Sequence, residues 1–195
     1  MAKLYFNYAA MNAGKSTILL QSSYNYHERG MQTLLMKPVI DTRDALADHI
    51  ASRIGLKARA DCFKDDDDLE SHIKEVHADT PLDCVFVDEA QFLTKIQVWQ
   101  LSRVADVHKI PVMCYGLRTD FQGELFPGSS ALLAIADDIR ELRTLCWCGR
   151  KATMNLRVDG SGKAVTEGDQ VEIGGNNRYK SLCRQHWVSK TVRTV

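Results

Sequence analysis

One stretch near the amino terminus, Ala9-Ala10-Met11-Asn12-Ala13-Gly14-Lys15-Ser16, constrains this chain more than any other. A short apolar run, Leu4-Tyr5-Phe6, precedes it, and a helical pattern, Thr17-Ile18-Leu19-Leu20, follows. Strand, tight loop, Gly-Lys-Ser and helix, in that order, frame a phosphate-binding P-loop. The first N–H groups of a helix lack intrahelical acceptors, and the helix dipole adds partial positive charge beside them. Such a loop cradles phosphate oxygens. Lys15 is expected to reach the β- and γ-phosphates, and the Ser16 hydroxyl to ligate Mg²⁺. The glycine that usually opens the motif is Ala9 here, which fits wherever φ is negative.

Alternating apolar runs and helical patterns follow this loop. Residues 16–29 read as a helix ending near Gly30, and Thr33-Leu34-Leu35-Met36 as a strand stopped by Pro38. In open α/β sheets ligands sit beyond the carboxyl ends of strands, so Arg43, after Asp41-Thr42, is a candidate phosphate contact. Cys84-Val85-Phe86-Val87 reads as a buried parallel strand that delivers Asp88 and Glu89 at its carboxyl end, like a Walker B element. Asp88 would hold the Mg²⁺ shell, Glu89 is free for a second task, and Phe92 is placed to face the same crevice. A helix over 95–108 with apolar Ile96, Trp99, Leu101, Val104 and Val107, a strand over 112–115, a helix over 129–136 and a fifth strand over 142–145 continue the pattern. Residues 44–80 show little pattern beyond the acidic run at 65–68, which suits a helix start at Leu69.

Past residue 145 the chain turns to short strands with Gly-rich turns at 159–162 and 174–177. Cys146 and Cys148 open this part, and Cys183 and His186 stand near its end. Two close pairs of soft ligands can close a tetrahedral zinc site, and a domain this small gains stability from such a staple. Buried cysteines beside an unrelated histidine are the alternative. Cys84 and Cys114 lie in strands and are expected in the core, and the other five histidines are isolated. The expected fold class is α/β: a P-loop, RecA-like parallel sheet with helices on both faces over 1–145, followed by a small zinc-stapled β-rich domain over 146–195.

Composition narrows the function. Among 195 residues, 25 Lys plus Arg balance 25 Asp plus Glu, which argues against a duplex-binding surface and for no nucleic-acid partner. No apolar run approaches the ~20 residues of a spanning helix, so no membrane partner is expected. The first strand begins almost at once, leaving no room for a secretory signal, so a cytoplasmic location with reduced thiols is expected. Read from residues alone, a P-loop ATPase with a nucleic-acid-binding zinc ribbon and a non-catalytic nucleotide-binding scaffold stay open. Neutral charge speaks against the first; intact Lys15, Ser16, Asp88 and Glu89 speak against the second.

Residues 11–17, 41–43, 87–92, 115–121, 146–148 and 173–179, leading to Cys183 and His186, together resemble the cytoplasmic, zinc-containing type II thymidine kinases, in particular their bacterial members. The resemblance covers nearly the whole chain. It implies transfer of the ATP γ-phosphoryl group to the 5′-hydroxyl of thymidine or deoxyuridine, with Glu89 as base. It implies an ATP site formed by Ala9, Ala10, Met11, Asn12, Ala13, Gly14, Lys15, Ser16, Arg43, Asp88, Glu89, Ala90 and Gln91, with Mg²⁺ at Ser16 and Asp88. The implied pyrimidine pocket comprises Met11, Phe92, Leu117, Phe121, Ile173, Gly174 and Tyr179, the last three on a lasso-shaped loop. A zinc-holding lid, a homotetramer and feedback inhibition by thymidine triphosphate complete what the resemblance implies.

Overall fold

The structure, a computed structural model, describes residues 1–39, 48–171 and 178–193. Its main sheet has six strands in the order β5-β2-β6-β7-β1-β8: β1 (Leu4–Ala9), β2 (Thr33–Pro38), β5 (Asp61–Phe63), β6 (Cys84–Val87), β7 (Val112–Leu117) and β8 (Asp138–Glu141). Every pairing within it is parallel.

Strand residues alternate between two cores, as the period of two in a pleated strand demands. Leu34, Met36, Val85, Val87 and Cys114 pack on one face with α2 (Leu69–Asp79), α3 (Lys95–Asp106) and α4 (Pro127–Ile135). Leu35, Cys84, Phe86 and Tyr115 face the other way, against Leu19 and Leu20 of α1 (Lys15–His27) and Ile50 of β3 (His49–Ala51). Each large side chain so buried contributes roughly 1.5–3 kcal/mol. The two strand thiols are core groups, and burial pushes Cys84 up to about 12.

One expectation needs correction. The fifth strand of the alternation is β8 at Asp138–Glu141, paired parallel to β1, not 142–145. Residues Thr144–Leu145 form β9, which pairs antiparallel with β10 (Lys151–Ala152) outside the main sheet. The Leu142–Leu145 run was apolar enough to read as a strand, but Leu142 packs under α1 and the backbone ladder is made by the more polar Asp138–Glu141 at the sheet edge. Within residues 48–80, β3 and β4 (Lys57–Arg59) make a hairpin, β5 adds the sheet's outer strand, and α2 starts at Leu69 as expected, capped by Asp68, which accepts from the Ser71 N–H. In α3, Ile96 and Trp99 are exposed, as is the C-cap Val107; the buried stripe is Gln97, Val98, Leu101, Val104 and Ala105, set by the Thr94–Gln97 capping box and the hydrogen bonds from Gln97 to Lys64 and Asp67.

The remainder forms a three-stranded antiparallel sheet with β11 (Met154–Val158) between β12 (Ala164–Val165) and β13 (Tyr179–Leu182), followed by α5 (Arg184–Val188). The 159–162 turn joins β11 to β12, as its Asp and Gly residues predict. All five residues of β11 are buried. Leu156 and Val158 face the small core with Leu182 and Ala152. The alternate positions, Asn155 and Arg157, face the main sheet's loops, which brings the small sheet against the carboxyl end of the parallel strands.

Candidate active site

The loop between β1 and α1 turns through two left-handed residues, Asn12 (φ 63°) and Gly14 (φ 77°). Gly14 occupies the N-cap of α1, where no side chain caps the helix, so the first-turn N–H groups are left for another acceptor. Lys15 is buried, with its Nζ 3.4 Å from the Ala10 carbonyl. The Ser16 hydroxyl donates to Asp88 Oδ2 at 2.7 Å, which joins the helix start to the end of β6.

Past Asp88 the chain bends sharply. Glu89 adopts φ 49°, a costly conformation for a residue with a side chain, and the chain then enters a short 3₁₀ turn at Ala90–Phe92. Asp88 Oδ1 accepts the Glu89 N–H, and Gln91 Nε2 donates to Glu89 Oε2 at 2.5 Å. Gln91 cannot flip, because its Oε1 accepts the Leu117 N–H at 2.9 Å. Gly116 leaves room for that amide: a Cβ there would come within 2.9 Å of Gln91 Oε1. The ends of β6 and β7 are thus tied through one glutamine, and the Glu89 carboxylate is aimed by it.

A cleft of about 500 Å³ opens here, lined by Met11 to Thr17, Ala51 to Ile54, Asp88, Glu89 and Leu117. Of the residues expected at a nucleotide site, Met11, Asn12, Ala13, Gly14, Lys15, Ser16, Asp88 and Glu89 meet in it. Ala9, Ala10, Ala90 and Gln91 lie buried behind them. Arg43, Ile173 and Gly174 lie outside the described residues. The β3–β4 turn, with Arg53, is a cleft wall that sequence reading did not anticipate; its one signal was the turn glycine Gly55, which has φ 88°.

The expected pyrimidine-pocket residues divide. Met11 and Leu117 line the cleft. Phe92 packs edge-on against Phe126 at 5.7 Å between ring centroids. Phe121 and Tyr179 gather around buried Arg157, whose guanidinium lies 3.8 Å from the Phe121 centroid and 5.4 Å from that of Tyr179. Arg157 Nε donates to the Tyr179 hydroxyl, and its NH2 group donates to the carbonyls of Asp169 and Gln170. Neither aromatic spacing nor charge pattern in the sequence singled out Arg157.

The four soft ligands converge. Cys146 Sγ and Cys183 Sγ lie 3.3 and 3.5 Å from His186 Nδ1, and Cys148 Sγ lies 3.9 Å from Cys183 Sγ. Tetrahedral zinc at ordinary bond lengths requires about 3.8 Å between sulfurs and about 3.5 Å from sulfur to nitrogen. The donor set fits, and among the described residues no other cluster of three or more His, Cys, Asp or Glu side chains offers a metal site. Burial alone would raise the Cys146 thiol; N–H groups of Cys148 and Cys183 and the His186 ring outweigh it and bring the thiol down to about 6, toward the thiolate a metal binds. Gly149, at φ 82°, closes the tight turn between β9 and β10 that brings Cys146 and Cys148 together.

The profile of the family described as Thymidine kinase matches residues 2–187. A thymidine kinase of Agrobacterium fabrum is 60% identical over 188 residues, covering 96% of this chain and 97% of its own. One from Ruegeria pomeroyi is 62% identical over 191 residues (98% and 96%), and one from Novosphingobium aromaticivorans 63% over 187 (96% and 97%). The chain belongs to the thymidine kinase family. This match spans both the parallel sheet and the Cys/His cluster, so the family assignment covers the cleft and the metal-ligand set together. No helix among the described residues is long and apolar enough to cross a membrane.

Proposed function

We propose that this chain is a thymidine kinase that transfers the γ-phosphoryl group of ATP to the 5′-hydroxyl of thymidine, and of deoxyuridine, with Glu89 as general base. The observation that carries the reading is the meeting of Lys15, Ser16, Asp88 and Glu89 in one cleft of a chain that belongs to this family. Residues 9–16 hold the triphosphate through backbone N–H groups at the start of α1, with Lys15 offsetting charge on the transferring group. Arg43 belongs to the same reading. Ser16 and Asp88 present hard oxygens 2.7 Å apart, a donor set that suits Mg²⁺, which would supply charge neutralisation of the phosphates.

A primary alcohol is a weak nucleophile at neutral pH, so an aimed carboxylate that takes its proton speeds attack. Glu89 is held for this by Gln91, which donates to its Oε2. Met11, Phe92, Leu117, Phe121, Ile173, Gly174 and Tyr179 form the base pocket in this reading, with Arg157 propping Phe121 and Tyr179. Residues 1–145 carry the nucleotide, and residues 146–195 form a zinc-stapled lid that keeps water from the phosphoryl group. A cytoplasmic location, a homotetramer and inhibition by thymidine triphosphate rest on the family resemblance alone.

The test supplies ATP with thymidine, deoxyuridine, deoxycytidine or DNA and follows nucleoside monophosphate and free phosphate. Monophosphate formed only with thymidine or deoxyuridine is expected. Glu89→Gln should lower kcat by about 10²-fold or more while MgADP still binds. Unchanged turnover in that variant removes Glu89 from the chemistry; DNA-stimulated phosphate release without monophosphate rejects the kinase.

A further inference from the structure

Met11 sits mid-way along the phosphate loop, yet neither of its backbone polar groups is used within that loop. Its N–H donates to Asn155 Oδ1 at 2.8 Å, and its C=O accepts from the Ser181 hydroxyl at 2.5 Å. Asn155 is on β11 and Ser181 on β13, paired across the small sheet, so one register pair grips one residue of the loop from both sides. Asn155 is itself buried and cannot turn, because its Nδ2 donates to the Thr119 carbonyl at 3.1 Å. Its own backbone carbonyl accepts from Trp187 Nε1 on α5, which also donates to the Phe121 carbonyl.

We propose that Asn155 and Ser181 are positioning residues that set the phosphate loop in its nucleotide-binding shape from the small sheet. A trans peptide holds its N–H and C=O antiparallel. Fixing the Met11 N–H toward Asn155 therefore turns the Ala10 carbonyl the opposite way, where Lys15 Nζ meets it at 3.4 Å. Fixing the Met11 carbonyl toward Ser181 turns the Asn12 N–H away from the small sheet, and Asn12 lines the cleft. Asn12 is in the left-handed region at φ 63°, which asparagine enters more readily than other residues with a side chain, and the clamp bears on the peptide just before it. The ATP side of the site thus depends on two side chains of the sheet that also carries Arg157 and Tyr179, and docking of the small sheet and ordering of the phosphate loop are one event. The inference rests on the ATP-site reading of residues 9–16.

Ser181→Val and Ser181→Thr test it. The two side chains share a shape and differ in the hydroxyl, and both suit a strand position. Dissociation of MgADP is measured without nucleoside, and KM for ATP and for thymidine with both. Ser181→Val should weaken MgADP binding and raise KM for ATP about fivefold or more, with KM for thymidine within about twofold, as loss of one hydrogen bond to a partly buried carbonyl implies. Ser181→Thr should restore wild-type values. Asn155→Asp, which keeps the acceptor for Met11 but loses the donor to Thr119, should fall between Asn155→Ala and wild type. Valine and threonine variants that bind MgADP alike, or that lose ATP and thymidine equally, overturn the clamp. A wild-type chain that binds no MgADP overturns the ATP-site reading instead.

Discussion

Gly128→Ala sets helix propensity against tertiary packing, and the two predict opposite signs. Gly128 lies in the first turn of α4, where alanine is favoured over glycine by up to ~1 kcal/mol on propensity alone. A Cβ at this position would stand 2.4 Å from the Ala90 carbonyl oxygen, 2.8 Å from that of Leu93 and 2.9 Å from that of Gln91. Ordinary contact begins near 3.4 Å, so the 3₁₀ turn must retreat by about 1 Å. All three atoms are backbone, which cannot swing aside as a long side chain would. Overpacking of this kind costs roughly 1–3 kcal/mol, more than propensity returns. In a chain of this size that lowers Tm by several degrees, at roughly 2–4 °C per kcal/mol. The turn also carries Gln91, which aims Glu89, and a displacement of ~1 Å at a reacting group costs up to ~10²-fold in rate. The assay is thermal unfolding alongside kcat at saturating ATP and thymidine. A Gly128→Ala protein with unchanged or raised Tm and wild-type kcat refutes both the close approach and the role given to the turn.

Three further outcomes are expected. Arg157→Met, which keeps bulk but removes the cation–π contacts and the donors to Tyr179, Asp169 and Gln170, should raise KM for thymidine tenfold or more while KM for ATP stays within about twofold; steady-state kinetics with each substrate varied checks it. Cys183→Ser should reduce bound zinc, measured by elemental analysis, and speed amide exchange in β11 and β13 while β1, β6 and β7 keep their protection; a variant with full zinc content contradicts the four-ligand site. Glu70 is held below the ordinary carboxylate range by hydrogen bonds from Arg103 and then His108, so its contribution is present above that range and is lost as pH falls through its lowered folded value. Wild type should therefore melt above Glu70→Gln at pH 7, with the gap narrowing as pH falls below about 4; a gap that stays constant on acidification contradicts the assignment.

Much of the cleft was legible from local pattern. A Gly-Lys-Ser sequence between a strand and a helix, and an apolar run ending in Asp88-Glu89, are features of neighbouring residues, and parallel strands deliver such ends to one side of a sheet. The Cys/His set was readable because metal ligands are few residue types with strong chemical preference, and the four atoms do converge. The β3–β4 hairpin escaped notice: its strands are three residues each, too short for periodicity to register. The polar edge strand Asp138–Glu141 escaped too, because its membership comes from pairing with β1 rather than from hydrophobicity.

By itself, then, the order of residues determined the alternation of strands and helices, the Gly-Lys-Ser loop between a strand and a helix, the paired carboxylates and the Cys/His set, all written within short windows. Only the tertiary structure decided which distant side chains support them. Gln91 could be known to orient Glu89 only once β7 stood beside β6 with Gly116 at the contact. Asn155, Arg157 and Ser181 acquire their partners across separations of 144, 22 and 170 residues along the chain. The physical reason is that a hydrogen bond or a cation–π contact carries no periodic trace in sequence. It exists only after the burial of two cores has fixed where the small sheet docks.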